Sequence, residues 1–158
     1  MRVLLKLVLD CHVDDAWLAL RSPSVFSAVS APFTTFVSLE RGGFADSWSP
    51  GEHPVAVRAL GLLTIGEQVI DISYTARRDG VRTVVDAGGG TSGPLALVTG
   101  WQHTMAVSAT EDGRTLYRDR LIFGAGILTP LLWPLYWAFW QWRGIQLRRL
   151  APSFRVGR

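Results

Sequence analysis

A chain of 158 residues has the length of one domain and enough material to bury a real core. Its 48% hydrophobic and 18% charged content is globular, on the apolar side of normal, with no long low-complexity segment or internal repeat. The formal charge is +3, and of the 16 basic residues only Lys6 is a lysine. The arginines are scattered except at the C-terminus, and no stripe of basic and aromatic residues marks a nucleotide groove, so nucleic acid is not an expected partner. Cys11 is the single cysteine. An internal disulfide is excluded, and a reducing cytoplasm is the expected compartment.

The N-terminus, MRVLLKLVL, has the outline of a signal peptide. Lys6 interrupts its short apolar stretch, however, and Asp10, His12, Asp14 and Asp15 follow it where small residues would mark a cleavage site. Val3, Leu5, Leu7 and Leu9 fall on alternate positions, which predicts a strand. Asp14 is then the expected cap of a short helix with Trp17 and Leu20 on one face. Ser22-Pro23 opens a second short helix through Val25, Phe26 and Val29, ended by Pro32. Thr34 to Glu40 reads as a strand and Arg41-Gly42-Gly43 as a turn.

A meander follows. Strands are predicted over Val55 to Leu60, Ile65 to Arg77 and Val81 to Ala87, the last two joined by the Asp79-Gly80 hairpin signal. Gly88 to Pro94 reads as a loop, and its Gly88 to Thr91 as a flexible turn suited to gating a cavity mouth. Two further strands, Trp101 to Thr110 and Thr115 to Phe123, flank the hairpin signal Asp112-Gly113. Strands joined by hairpins, with the helices segregated, predict an α+β domain.

From Leu121 to Trp142 the chain is uncharged and holds four tryptophans. About 20 apolar residues would span a membrane. The run divides, however, into the end of a strand, a break at Gly124 and Gly126, and a helix that Thr129 should cap and Pro130 should open. That helix, expected over about 128–150 with a tail at 151–158, is apolar on every side in its first three turns. A helix covering one sheet needs only one apolar stripe. Pro134 is expected to distort it. Its outer face calls for cover by the opening helix pair and long loops, by a second copy of the chain, or by a membrane surface.

Three segments carry a resemblance. The piece VDDAWLALRSPSVFSAV after the first strand, the hairpin WQHTMAVSATEDGRTLYRDRLIF and the helix ending WRGIQLRRL together resemble the START-related helix-grip superfamily of the polyketide cyclase/dehydrase and lipid-transport type. The resemblance runs from about Arg2 to Leu150. It implies a curved antiparallel sheet of about seven strands wrapped on a long C-terminal helix, with two short helices after strand 1. The whole chain, 1–158, would form one ligand-binding domain with a cavity between sheet and helix. Members of that superfamily include carriers, cyclases and hydrolases, so the fold alone does not choose an activity.

The residues narrow the choice. Trp101, His103 and Met105 share one face of their strand. On the next strand Tyr117 and Asp119 share a face, while Arg118 and Arg120 take the other. If the arginines face water, Asp119 faces inward, where His103 could meet it; a buried carboxylate needs such a partner. With Ile72, Tyr74, Trp133 and Trp137, these side chains form the expected cavity wall. The His103–Asp119 pair can brace the sheet, orient a ligand, or act as acid and base. His12, His53 and His103 lack metal-ligand spacing, and Gly88 to Thr91 lacks the lysine of a phosphate loop, so neither metal nor cofactor is expected. The sequence therefore predicts a non-catalytic carrier or sensor of a small hydrophobic or aromatic ligand. A cyclase/aromatase-like enzyme using His103 and Asp119, and a membrane-associated lipid or quinone carrier, are the alternatives.

Overall fold

In the computed structural model, which describes residues 1–154, the alternating N-terminus forms strand β1, Arg2–Leu9. Helices α1, Val13–Leu20, and α2, Pro23–Ser30, follow. The next strands are β2, Thr34–Ser38, β3, Gly51–Ala59, β4, Leu63–Ala76, and β5, Arg82–Asp86. A two-residue strand, β6, is Gly89–Gly90; β7 is Gly100–Ala109 and β8 is Thr115–Gly124. Helix α3, Thr129–Leu150, runs without interruption through Pro134. Of the expected tail, Ala151–Ser153 form one 3-10 turn, and residues 155–158 lie outside the described ones.

The strands make one antiparallel sheet in the order β1-β8-β7-β5-β4-β3-β2, with β6 attached to β4. Alternation decides its faces. Along β8, Tyr117, Asp119, Leu121 and Phe123 are buried while Arg118 and Arg120 are exposed. His103, Met105 and Val107 on β7, and Ile70 and Ile72 on β4, share that inner face. Helix α3 crosses it, packing most extensively against β1 and α2. The approach is tight at Gly144, where a Cβ would stand 2.6 Å from a methyl of Leu5. The architecture is thus the α+β helix grip that the resemblance implied.

Three local expectations fail for physical reasons. His12, not Asp14, caps α1: its Nδ1 accepts the Asp14 amide at 3.3 Å, leaving Asp14 in the first turn. Thr129 does not cap α3. Its hydroxyl instead accepts the Ala125 amide at 2.8 Å and donates to the Gly126 carbonyl at 2.7 Å, bracing the turn that precedes the helix. The 88–94 segment is held rather than free. Gly89 and Gly90 pair with Val69 and Gln68, and the Thr91 amide donates to the Glu67 carbonyl at 2.8 Å. Gly90 serves close approach: a Cβ there would stand 2.2 Å from the Leu95 carbonyl oxygen.

The two ends of the sheet differ in chemistry. By the antiparallel registers, the β3–β4, β5–β7 and β8–α3 connections lie at one end. Residues 59–66, 87–101 and 121–142 there contain no charged side chain. Leu62, 87% exposed, and Ile127, 95% exposed, project from this end with Leu60, Leu63, Leu97, Leu131 and Leu135. The opposite end carries the charged turns at 77–81 and 110–114.

Candidate functional site

The inner face of the sheet holds two buried carboxylates, each with three hydrogen bonds. Asp119 Oδ1 accepts from His103 Nε2 at 2.8 Å and from Trp140 Nε1 at 2.9 Å; its Oδ2 accepts from the Tyr117 hydroxyl at 2.6 Å. An ionised carboxylate only accepts, so the His103 proton on this contact sits on Nε2. Burial alone would push the Asp119 carboxyl up, but the pull of His103, Arg143 and the Tyr117 hydroxyl brings it below the ordinary carboxylate value. Burial, then the adjacent Asp119 charge, holds the Tyr117 phenol well above its ordinary value, so it remains a donor.

Asp86, opposite His103 in the β5–β7 register, is the second carboxylate. Its Oδ1 accepts the Asp71 and Gly88 amides at 3.0 and 3.1 Å, and its Oδ2 accepts the Trp101 indole at 3.0 Å. Tryptophan thus supplies a neutral donor to each carboxylate. The expected His103–Asp119 pair is present, and Asp86 was missed. Its signal was available, since Val84 and Asp86 share a strand face.

Two adjoining cavities lie between this face and α3. The smaller, about 40 Å³, is bounded by Ile72, Met105, Tyr117, Asp119 and Trp48. The larger, about 200 Å³, is bounded by Val57, Gly89, Gly90, Trp101, Tyr136 and Phe139 among others. Asp86, His103 and Arg143 border both. Arg143 is only 8% exposed and forms no ion pair among the described residues. Its guanidinium stands 4.9 Å from the Trp140 ring centroid and 5.5 Å from that of Phe26. Arg143 lies three residues after Trp140 and four before Leu147, on the helix face that the fold buries.

Three of the expected wall residues lie elsewhere. Tyr74 donates to the Trp48 carbonyl at 2.7 Å, with the Arg21 guanidinium 4.9 Å from its ring centroid; it ties down the β2–β3 connection. Trp133 donates to the Arg2 carbonyl at 3.0 Å, docking α3 on β1. Trp137 is 46% exposed on the outer side of α3. There the helix pair covers only the later turns: the Trp142 indole donates to the Ala31 carbonyl at 2.7 Å, while Leu131 and Leu135 stay exposed.

The remaining candidates have local structural roles. Burial pushes the Cys11 thiol up, against the thiolate a nucleophile needs. His53 bonds Glu40 and the Ser49 carbonyl at 3.0 and 2.9 Å. Among the described residues no three potential metal ligands cluster, and no helix is long and apolar enough to cross a membrane.

No protein-family model matches the chain, and no curated protein does. Solved structures do. A protein from Chromobacterium violaceum is 16% identical with a TM-score of 0.61, covering 95% of this chain and 96% of its own. A hypothetical protein from Helicobacter pylori is 9% identical with a TM-score of 0.68, covering 96% and 88%. Norcoclaurine synthase from Thalictrum flavum, solved with dopamine and hydroxybenzaldehyde, is 12% identical with a TM-score of 0.65, covering 99% and 89%. At these identities the likeness is one of fold, and the fold is the helix grip.

Proposed function

We propose that this chain is a non-catalytic carrier or sensor of the START-related type, binding one small hydrophobic or aromatic ligand between its sheet and α3. The larger cavity carries the reading. At about 200 Å³ it exceeds the ~150 Å³ apolar cavity that suffices for benzene. Its wall is mostly aliphatic and aromatic, with Ser30, Thr34, Gln68, Asp86, His103 and Arg143 as polar groups able to fix orientation. Removing apolar surface from water would supply about 25 cal/mol per Å². The aromatic compounds bound by norcoclaurine synthase support a helix grip as a container for single-ring molecules. Both Asp119 oxygens are already occupied by protein donors, which favours a bracing role over acid–base turnover. The single cysteine is a free thiol, which suits a cytoplasmic protein.

Native mass spectrometry of purified protein tests the reading. A small-molecule adduct, lost on denaturation and absent from a folded Val57→Phe variant that fills the cavity, is expected. An adduct retained equally by Val57→Phe would place the ligand elsewhere and contradict the proposal.

The uncharged end of the sheet favours a second reading, in which the carrier works at a membrane surface. Leu62, Leu97, Ile127, Leu131 and Trp137 present apolar side chains where the larger cavity borders the same connections. Exposed apolar patches of this kind mark interaction sites. Sedimentation with phosphatidylcholine vesicles should capture the protein, and the double variant Leu62→Glu, Leu131→Glu should release it. A supernatant fraction that the double variant does not change would reject membrane contact.

A further inference from the structure

Among the described residues, two that line the larger cavity each carry a buried polar atom without a hydrogen-bond partner: Nε of Arg143 and Oγ1 of Thr34. The neighbouring carboxylates and a serine hydroxyl are satisfied within the protein. Asp86 and Asp119 each accept three hydrogen bonds, and Ser30, on the same wall, donates to the Phe26 carbonyl at 2.9 Å. Arg143 lies on the later half of α3 and Thr34 begins β2, so separate elements bring two unmet groups to one space. A buried guanidinium N–H only donates, and a hydroxyl can donate or accept. Such groups call for an acceptor from whatever fills the cavity.

The charge balance chooses the kind of acceptor. Among the described residues the buried side chains of this face that can carry charge, apart from the Tyr117 phenol held neutral, are Asp86, Asp119, His103 and Arg143. Asp86 takes its hydrogen bonds from neutral donors only. With His103 neutral, Arg143 offsets one of two carboxylates; with His103 charged, the set balances. Neither state leaves a surplus cation for an anionic ligand, and Asp86 borders the same cavity. A ligand carboxylate would enter beside a like charge at low dielectric. A neutral oxygen acceptor avoids that cost and still meets the N–H.

Resting on the ligand-binding reading above, we infer that the larger cavity selects a neutral, single-ring-sized apolar molecule bearing a carbonyl oxygen, received by Arg143 Nε–H and the Thr34 hydroxyl. Rings of Trp101, Tyr136 and Phe139 would enclose the apolar body. The inference concerns recognition, with no bond made or broken.

Three shape-related probes test it: acetophenone, its hydrocarbon isostere α-methylstyrene, and benzoate, titrated against the wild-type chain and against Thr34→Val and Arg143→Met. Acetophenone should bind about tenfold tighter than α-methylstyrene, the scale expected for one or two net hydrogen bonds, and benzoate should bind more weakly than acetophenone. Thr34→Val, which keeps the side-chain shape, should narrow the ketone-to-hydrocarbon ratio severalfold; Arg143→Met should narrow it further if it folds by circular dichroism. If Arg143→Met does not fold, the wild-type ranking and Thr34→Val decide. Equal affinity for ketone and hydrocarbon, tightest binding of benzoate, or an unchanged ratio in Thr34→Val would overturn this inference while leaving apolar ligand binding intact. Saturable binding of none of the three would overturn both.

Discussion

Asp119 shows how one residue can be costly and stabilising together. Its carboxylate is buried, and three side-chain donors from three elements, β7, β8 and α3, compensate the lost hydration. Removing one donor should therefore cost more than an average hydrogen bond. Trp140→Phe is expected to lower unfolding stability in urea by about 1–3 kcal/mol, the range for leaving a buried acceptor short of a partner. The pH dependence follows from the direction of the shift. The folded Asp119 carboxyl lies below its ordinary value, so its contribution is complete above the unfolded pKa of about 4 and fades as pH falls through the folded one. Urea midpoints measured from pH 6 down to pH 3 should decline for the wild type. Asp119→Asn should be less stable at pH 6 and show a shallower decline; parallel curves would show that Asp119 does not titrate with unfolding.

At the scale of elements, the connection between β5 and β7 depends on glycine for space. Gly88 would place a Cβ 1.9 Å from the Val69 carbonyl oxygen, and Gly90 one 2.2 Å from that of Leu95. Backbone atoms cannot yield as a side-chain tip can. Gly90→Ala should cost at least the ~1–3 kcal/mol typical of overpacking, read as a lowered urea midpoint, and an unchanged midpoint would mean that the segment is held loosely. The sequence signalled strands and helices well here because their periodicity is local: Arg118 and Arg120 outward and Tyr117 and Asp119 inward followed from alternation alone. The packed glycine connection was illegible, since close approach to Val69 and Leu95 is a tertiary fact with no local pattern. Capping was misread for a similar reason. His12 and Asp14 both suit an N-cap position, and Thr129 found better partners in the turn before its helix.

For the whole molecule, the apolar helix that dominated the sequence has two halves with different surroundings. Its later half presents Trp140, Arg143, Gly144 and Leu147 to the sheet, covered by α2, and its first half leaves Leu131 and Leu135 open beside the uncharged connections. Periodicity could not assign the tryptophans, because a helix apolar on every side has no phase to read. Hence the expectation of Trp133 and Trp137 in the cavity wall does not hold, and Trp140 and Arg143 border it instead. The polarity of the two ends, charged turns at one and leucines at the other, arises only once the antiparallel registers bring distant connections together. The proposed function requires the space between sheet and helix to hold a ligand. A nuclear magnetic resonance titration of ¹⁵N-labelled protein with α-methylstyrene tests it most directly. Saturable shifts centred on the Gly89 and Gly90 amides and the Trp101 indole, and lost in Val57→Phe, are the predicted result. Shifts that do not saturate, or that fall only on exposed residues such as Leu62 and Leu131, would contradict it.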